Sequence, residues 1–247
     1  MMILIFSVLG AQKKIDSIQI KDVQDFRVDD YNYMYLYQDK NFSLTKVDFN
    51  GRELGRLMMT VPFTIQSIDN PLNIFLFSEN AQEIKVIDQN LIEIQKVDLR
   101  KYFGFIKMAY VEDLQQAWLL DETTKRLIQY NYRSNQVIKS FQYTFDFNEV
   151  NSMLVFDQKL YITTNYSFMV YDLRGNVLFS KKLENLKKMS RDNDRINVIG
   201  LNEIYQFKFP TDFKSMFFDQ DAKIVDKNSS SYFVLKENKG YIYILEK

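Results

Sequence analysis

Any chemistry done by these 247 residues is done without histidine or cysteine, since neither occurs. That removes every Ser-His-Asp and Cys-His nucleophile, every His-ligated zinc or iron centre, and every thiolate site or disulfide. Oxygen donors remain, and calcium is the metal they would hold, but no EF-hand or other spacing selects a ligand set. Glycoside hydrolysis would need two carboxylates at a fixed separation, and a sialidase-like site would add converging arginines. The arginines present (Arg27, Arg52, Arg56, Arg100, Arg126, Arg133, Arg174, Arg191 and Arg195) stand mostly at turn or strand-face positions. No residue is therefore assigned a catalytic or metal-binding role, and no cofactor is expected. The balance of chemistry favours a protein that is not an enzyme.

The totals describe a well-filled globule with no bulk field. Apolar residues make up 46% and aromatics 15%, enough to build a large core and to exclude disorder. Lys plus Arg equals Asp plus Glu at 32 each, so nothing recruits nucleic acid or an anionic membrane. With seven glycines and three prolines, Asn and Asp must make most of the turns. The start, ILIFSVLGA over 3–11 before Gln12-Lys13-Lys14, has the length and small-residue ending of a signal-peptide core. It lacks a basic n-region, which a start further upstream would supply. Residues 1–11 are expected to be a signal peptide and 12–247 a single domain. No later segment approaches the ~18 apolar residues of a spanning helix.

The elements that would carry any site are short strands, written in a recurring unit. FMVYDLRGNVLFSKK (168–182) shows it most cleanly: a strand closed by Asp172, a turn at Arg174-Gly175-Asn176, and a second strand from Val177. Four strands A–D make one unit, the first being DFRVDD (25–30), YMYLY (33–37), SLTKVD (43–48) and ELGRLMM (53–59). Asn50-Gly51 between the last two is a strong hairpin signal. The acid closing strand A falls at Asp29, Asp69, Glu112, Asp157, Asp192 and Asp226, and the polar residue closing strand C at Asp48, Asp88, Asn131, Asp172 and Lys208. Both sets recur about every 40 residues, the period of propeller blades. Their expected task is turn-making, because Asp accepts from nearby backbone N–H groups. The sixth unit lacks strand D, while the lone strand IDSIQI (15–20) precedes the first. Paired, these two ends would close a ring and remove the open sheet edge.

In period and hairpins the chain resembles the six-bladed β-propeller superfamily over residues 15–247, without a WD40, YWTD or sialidase signature. The resemblance implies an all-β fold closed by the N-terminal strand in the C-terminal blade. It places the A–B and C–D loops on one face and the B–C and D–A loops on the other. Some propeller hydrolases hold calcium in the channel, and the candidates here would be Asp25, Glu79, Asn80, Asp121, Glu122, Asp146, Asn148 and Asp219. The resemblance also puts the aromatic D–A connections where propellers bind partners: Phe63, Tyr102, Phe103, Phe105, Tyr143, Phe145, Phe147 and Phe218. Such side chains give large contact area at small entropic cost, although some would wedge between blades instead. The inner-strand residues Phe26, Ile65, Met108, Met153, Met189 and Ile224 speak against a channel enzyme. The basic run 181–195 reads as a solvated loop or short helical excursion. The expected function is an exported, periplasmic or outer-membrane-associated interaction module with a protein partner, as an accessory of a bacterial cell-envelope assembly. A calcium-dependent hydrolase or lyase, or a carbohydrate-binding propeller, is the alternative.

Overall fold

In the computed structural model, residues 13–20, 22–68 and 70–244 are described, and they form six four-stranded antiparallel sheets. The signal segment and Asp69 lie outside the described residues. Strand β1 (Lys13–Gln19) comes first. Blade 1 is β2 (Asp25–Val28), β3 (Met34–Gln38), β4 (Ser43–Val47) and β5 (Glu53–Met58). Blade 2 is β6 (Thr64–Ser67), β7 (Ile74–Ser78), β8 (Glu83–Ile87) and β9 (Glu93–Asp98). Blade 3 is β10 (Ile106–Val111), β11 (Gln116–Asp121), β12 (Arg126–Asn131) and β13 (Gln136–Gln142). Blade 4 is β14 (Ser152–Phe156), β15 (Lys159–Thr163), β16 (Ser167–Asp172) and β17 (Val177–Lys182). Blade 5 is β18 (Leu186–Asp192), β19 (Arg195–Gly200), β20 (Glu203–Lys208) and β21 (Asp212–Phe218). Blade 6 is β22 (Ile224–Lys227), β23 (Ser231–Lys236) and β24 (Lys239–Ile244), completed by β1 in the order β1-β24-β23-β22.

Burial explains why the strands read as they do. The second strands β7 and β23 are buried almost throughout, whereas the fourth strand β13 is exposed at all but one position. Both faces of a blade are covered by its neighbours, so inner strands need continuous apolar runs such as IFLFS instead of a two-residue alternation. Six apolar clusters result, one at each blade-to-blade interface. That between blades 3 and 4, for example, joins Trp118, Leu127 and Phe147 to Met153, Leu160 and Ile162. The cluster joining blade 6 to blade 1 contains Ile20, Phe26, Met34, Phe233 and Ile242, so the packing runs round the ring.

The third-to-fourth-strand turns work by the mechanism read from sequence. Asp48 Oδ1 accepts from the backbone N–H of Asn50 and Arg52, both at 2.9 Å. Asp88 repeats this with Asn90 and Ile92, and Asp172 with Arg174 and Asn176. The hydrogen bond from the Asn176 side chain, with those backbone bonds, holds the Asp172 carboxyl below its ordinary value. Gly51 and Gly175 supply the positive φ of the turn, 78° and 89°. The first-to-second-strand set behaves differently. Asp29 does make its turn, but in blade 3 the turn is held by Asp113, with Glu112 accepting from Trp118 Nε1 instead. In blade 6 Asn228 makes the turn and Asp226 is buried in β22.

The basic run 181–195 is a second departure from the sequence reading. It is neither loop nor helix: Leu186–Asp192 is the inner strand β18, and Lys188 is buried in it. Ring closure yields the first prediction. Deleting residues 13–20 removes β1 and the buried Ile20, whose burial alone contributes about 1.5–3 kcal/mol. Calorimetry should show a melting temperature lower by about 5 °C or more, with a broadened transition. A sharp, unshifted transition would show that β1 does not close the ring.

Candidate functional site

The six first strands line the central channel, and their channel-facing residues are more polar than sequence reasoning allowed. Phe26, Met153 and Met189 are buried in blade-to-blade clusters as apolar inner-strand residues should be. Between them stand Arg27 on β2, Lys188 on β18 and Asp226 on β22, all nearly inaccessible. A short strand that alternates toward the channel hides one polar residue among apolar ones, and only the ring shows that three such residues meet.

They meet as an ion cluster that spans blades 5, 6 and 1. Lys188 Nζ lies 2.8 Å from Asp25 Oδ1 and 3.6 Å from Asp226 Oδ2, and it donates to the carbonyl of Phe26. The same ammonium sits 5.1 Å from the centre of the Phe26 ring. Asp226 Oδ2 also accepts from Val28 N at 3.1 Å. Arg27 Nη1 donates to the Met189 carbonyl at 3.1 Å, a chord from blade 1 to blade 5 that skips blade 6. Burial pushes the Asp226 carboxyl above its ordinary value, against the opposing pull of Lys188 and Arg27. Asp29 is raised too, again chiefly by burial, although Tyr31 N, Tyr33 N and Tyr35 Oη all donate to it.

The cluster stands between two openings. On the side of the first-to-second-strand turns a cavity of about 120 Å³ is lined by Arg27, Gln66, Ser190, Arg191, Asn197 and Asp226, among others. On the opposite side a recess of about 590 Å³ lies over Asp25, Lys187, Lys188 and Lys223. A wider recess of about 700 Å³ opens beside the first cavity, between blades 2 and 3, and shares Ser67 and Arg191 with it. Tyr31, Leu72 and Leu114, on the first-to-second-strand turns of blades 1, 2 and 3, are 70%, 57% and 43% exposed on this turn face.

The six acidic side chains considered for calcium are each engaged through at least one oxygen. Asp25 pairs with Lys188, Glu79 with Lys107, Glu122 with Lys125 and Asp219 with Lys236. Asp121 accepts from Thr123 N and Thr124 N, and Asp146 from Asn148 N. Among the described residues no three acidic side chains converge.

The connection aromatics divide into two groups. Phe63, Tyr143 and Phe147 are buried in blade-to-blade clusters, and Phe103 and Phe145 pack half-buried against such clusters. Tyr143 spends its hydroxyl on the Asp172 carbonyl at 2.8 Å. Tyr102, Phe105 and Phe218 are exposed. An aromatic run near a strand end reads the same whether it wedges or protrudes, so sequence could not separate the groups.

Two measurements test the ion cluster. Lys188→Met leaves two carboxylates facing each other without their cation and should cost about 3–5 kcal/mol in denaturant melts. The double variant with Asp226→Asn should regain part of that loss. Because the folded Asp226 carboxyl is raised, its contribution is fully present below its unfolded value and is lost as pH rises through the folded value. The stability of wild type minus that of Asp226→Asn should therefore be larger near ~pH 4 than near ~pH 7. A difference that grows with pH would contradict the assignment.

No family model matches the sequence, and no curated protein matches it. Solved structures resemble it in shape. The β-propeller domain of Cps50 (Swd1) from Myceliophteria thermophila superposes with a TM-score of 0.61 at 8% identity, over 96% of this chain and 100% of that one. Streptogramin B lyase gives 0.57 at 11% identity, over 96% and 87%. BamB from Moraxella catarrhalis gives 0.48 at 9% identity, over 96% and 98%. At such identities a likeness speaks for the fold alone. Six four-stranded sheets with six packed interfaces in a ring make the chain a six-bladed β-propeller, and the likeness to the Cps50 β-propeller domain agrees with that fold.

Proposed function

We propose that this propeller is a non-enzymatic interaction module that docks a protein partner on its turn face. The observation that supports this reading is the conjunction on one face of a recess of about 700 Å³ with three exposed apolar turn residues, Tyr31, Leu72 and Leu114. Apolar and aromatic groups rimmed by polar ones are the usual composition of a docking patch. Asn70, Asn73, Asp113 and Arg191 supply that polar rim. The exposed aromatics Tyr102, Phe105 and Phe218 are the competing contact, separated from this patch along the fold. We further propose that residues 1–11 direct export and are removed, so that the module acts in the periplasm or at the outer membrane as an accessory of an envelope assembly. Among the described residues no helix is long and apolar enough to cross a membrane.

A hydrolase or lyase working in the channel is the second reading, favoured by the buried Asp226 beside Lys188. It is the weaker one, because Lys188, Val28 N and the burial of both side chains already occupy the carboxylate. Photo-crosslinking in cells decides between the faces. A photoreactive residue at position 31, 72 or 114 should yield a discrete protein adduct, and one at 102, 105 or 218 should not. The reverse pattern would move the docking surface to the opposite face. Glycan binding by the purified protein with no adduct at any position would replace the module by a carbohydrate-binding propeller. Mass spectrometry of the protein from fractionated cells should find Gln12 as its first residue.

A further inference from the structure

The cavity on the turn-face side of the channel contains a donor with nothing to donate to. Arg27 is 6% exposed, and its Nε is a buried atom without a hydrogen-bond partner among the described residues. Its Nη1 is anchored on the Met189 carbonyl, so the guanidinium is held in place while its Nε–H has no partner among the described residues. A buried charged donor left unsatisfied is costly, and a site that keeps one is built for an acceptor.

The carboxylates around the cavity are not that acceptor. Asp226 is taken by Val28 N and Lys188, and Asp29 by two backbone N–H groups and a tyrosine hydroxyl. Asp30 accepts from Ser229 N, and Asp192 faces Lys227 at 3.5 Å. On the donor side, Arg191 at the mouth stacks 4.5 Å from the centre of the Phe156 ring and forms no ion pair among the described residues. Gln66, Ser190 and Asn197 complete a polar wall. The space, about 120 Å³, is on the order of four water volumes. It admits a carboxylate on a short stem.

We propose that this cavity is a carboxylate-binding site, with Arg27 Nε as the buried donor and Arg191 as the second cation at the entrance. A planar guanidinium with a free N–H edge suits a carboxylate better than a point charge would. The ligand carboxylate is either a free small acid or an aspartate or glutamate side chain inserted by a protein. The site stands whether or not a protein docks on the turn face, because it is tested with small molecules alone.

The test titrates the purified full chain with acetate, N-acetyl-glutamate amide and inorganic phosphate at constant ionic strength, followed by NMR shifts and thermal melts. Saturable binding of a carboxylate is expected, with N-acetyl-glutamate amide tighter than acetate if the source is a peptide side chain and equal to it if the source is a free acid. Arg27→Lys keeps the charge but loses the Nε–H, and should weaken binding about tenfold or more. Arg191→Ala, at an exposed position, should fold as wild type and weaken binding about threefold. Unsaturable shifts in wild type, or equal affinity in wild type and both variants, would overturn the site. So would binding of phosphate with no binding of either carboxylate.

Discussion

The structure depends on one packing constraint: each sheet must have both faces covered, and its only available covers are its two neighbours. A four-stranded sheet with apolar runs on both sides cannot end a row without exposing one of those faces. Six such sheets satisfy one another only by closing into a ring, and the cluster of Ile20, Phe26, Phe233 and Ile242 is the interface that closes it. Pairing of β1 with β24 adds backbone hydrogen bonds at the same seam and leaves the last blade complete. The gradient from buried inner strands to exposed outer ones follows, because blades diverge with distance from the axis.

Closure also creates the polar interior. Around the axis the first strands of blades 5, 6 and 1 meet through ions and hydrogen bonds. Lys188 of blade 5 reaches Asp25 of blade 1, Arg27 of blade 1 reaches the Met189 carbonyl of blade 5, and Asp226 of the intervening blade touches both strands. The cluster locks the three blades that flank the seam. Burial of a charge is tolerated there because each carboxylate has a cation or backbone donors within reach. The turn-face cavity below it is where that accounting leaves Arg27 Nε over.

Much of the architecture was legible along the chain. The third-strand acids Asp48, Asp88 and Asp172 make their turns through their own next neighbours, so sequence spacing carries the whole interaction. The blade count likewise rests on a spare strand at one end and a missing one at the other, both visible in the pattern. Strands over 73–77 or 232–236 were readable because continuous apolar runs bounded by turn residues admit few other uses.

What the sequence by itself determined, then, is the repeating unit and its third-to-fourth-strand turns, products of contacts a few residues apart, and the number of blades, which follows from counting those units. Tertiary structure alone decided the rest. Lys188 looked like part of a solvated basic run and became a buried cation, because its partners Asp25 and Asp226 lie 163 and 38 positions away. Phe63, Tyr143 and Phe147 looked no different from Tyr102, Phe105 and Phe218, and only the angle between adjacent blades sorted them into wedges and exposed groups. Contacts across the ring join residues from different blades. Their energy depends on where closure places each strand, which no local pattern of residues encodes.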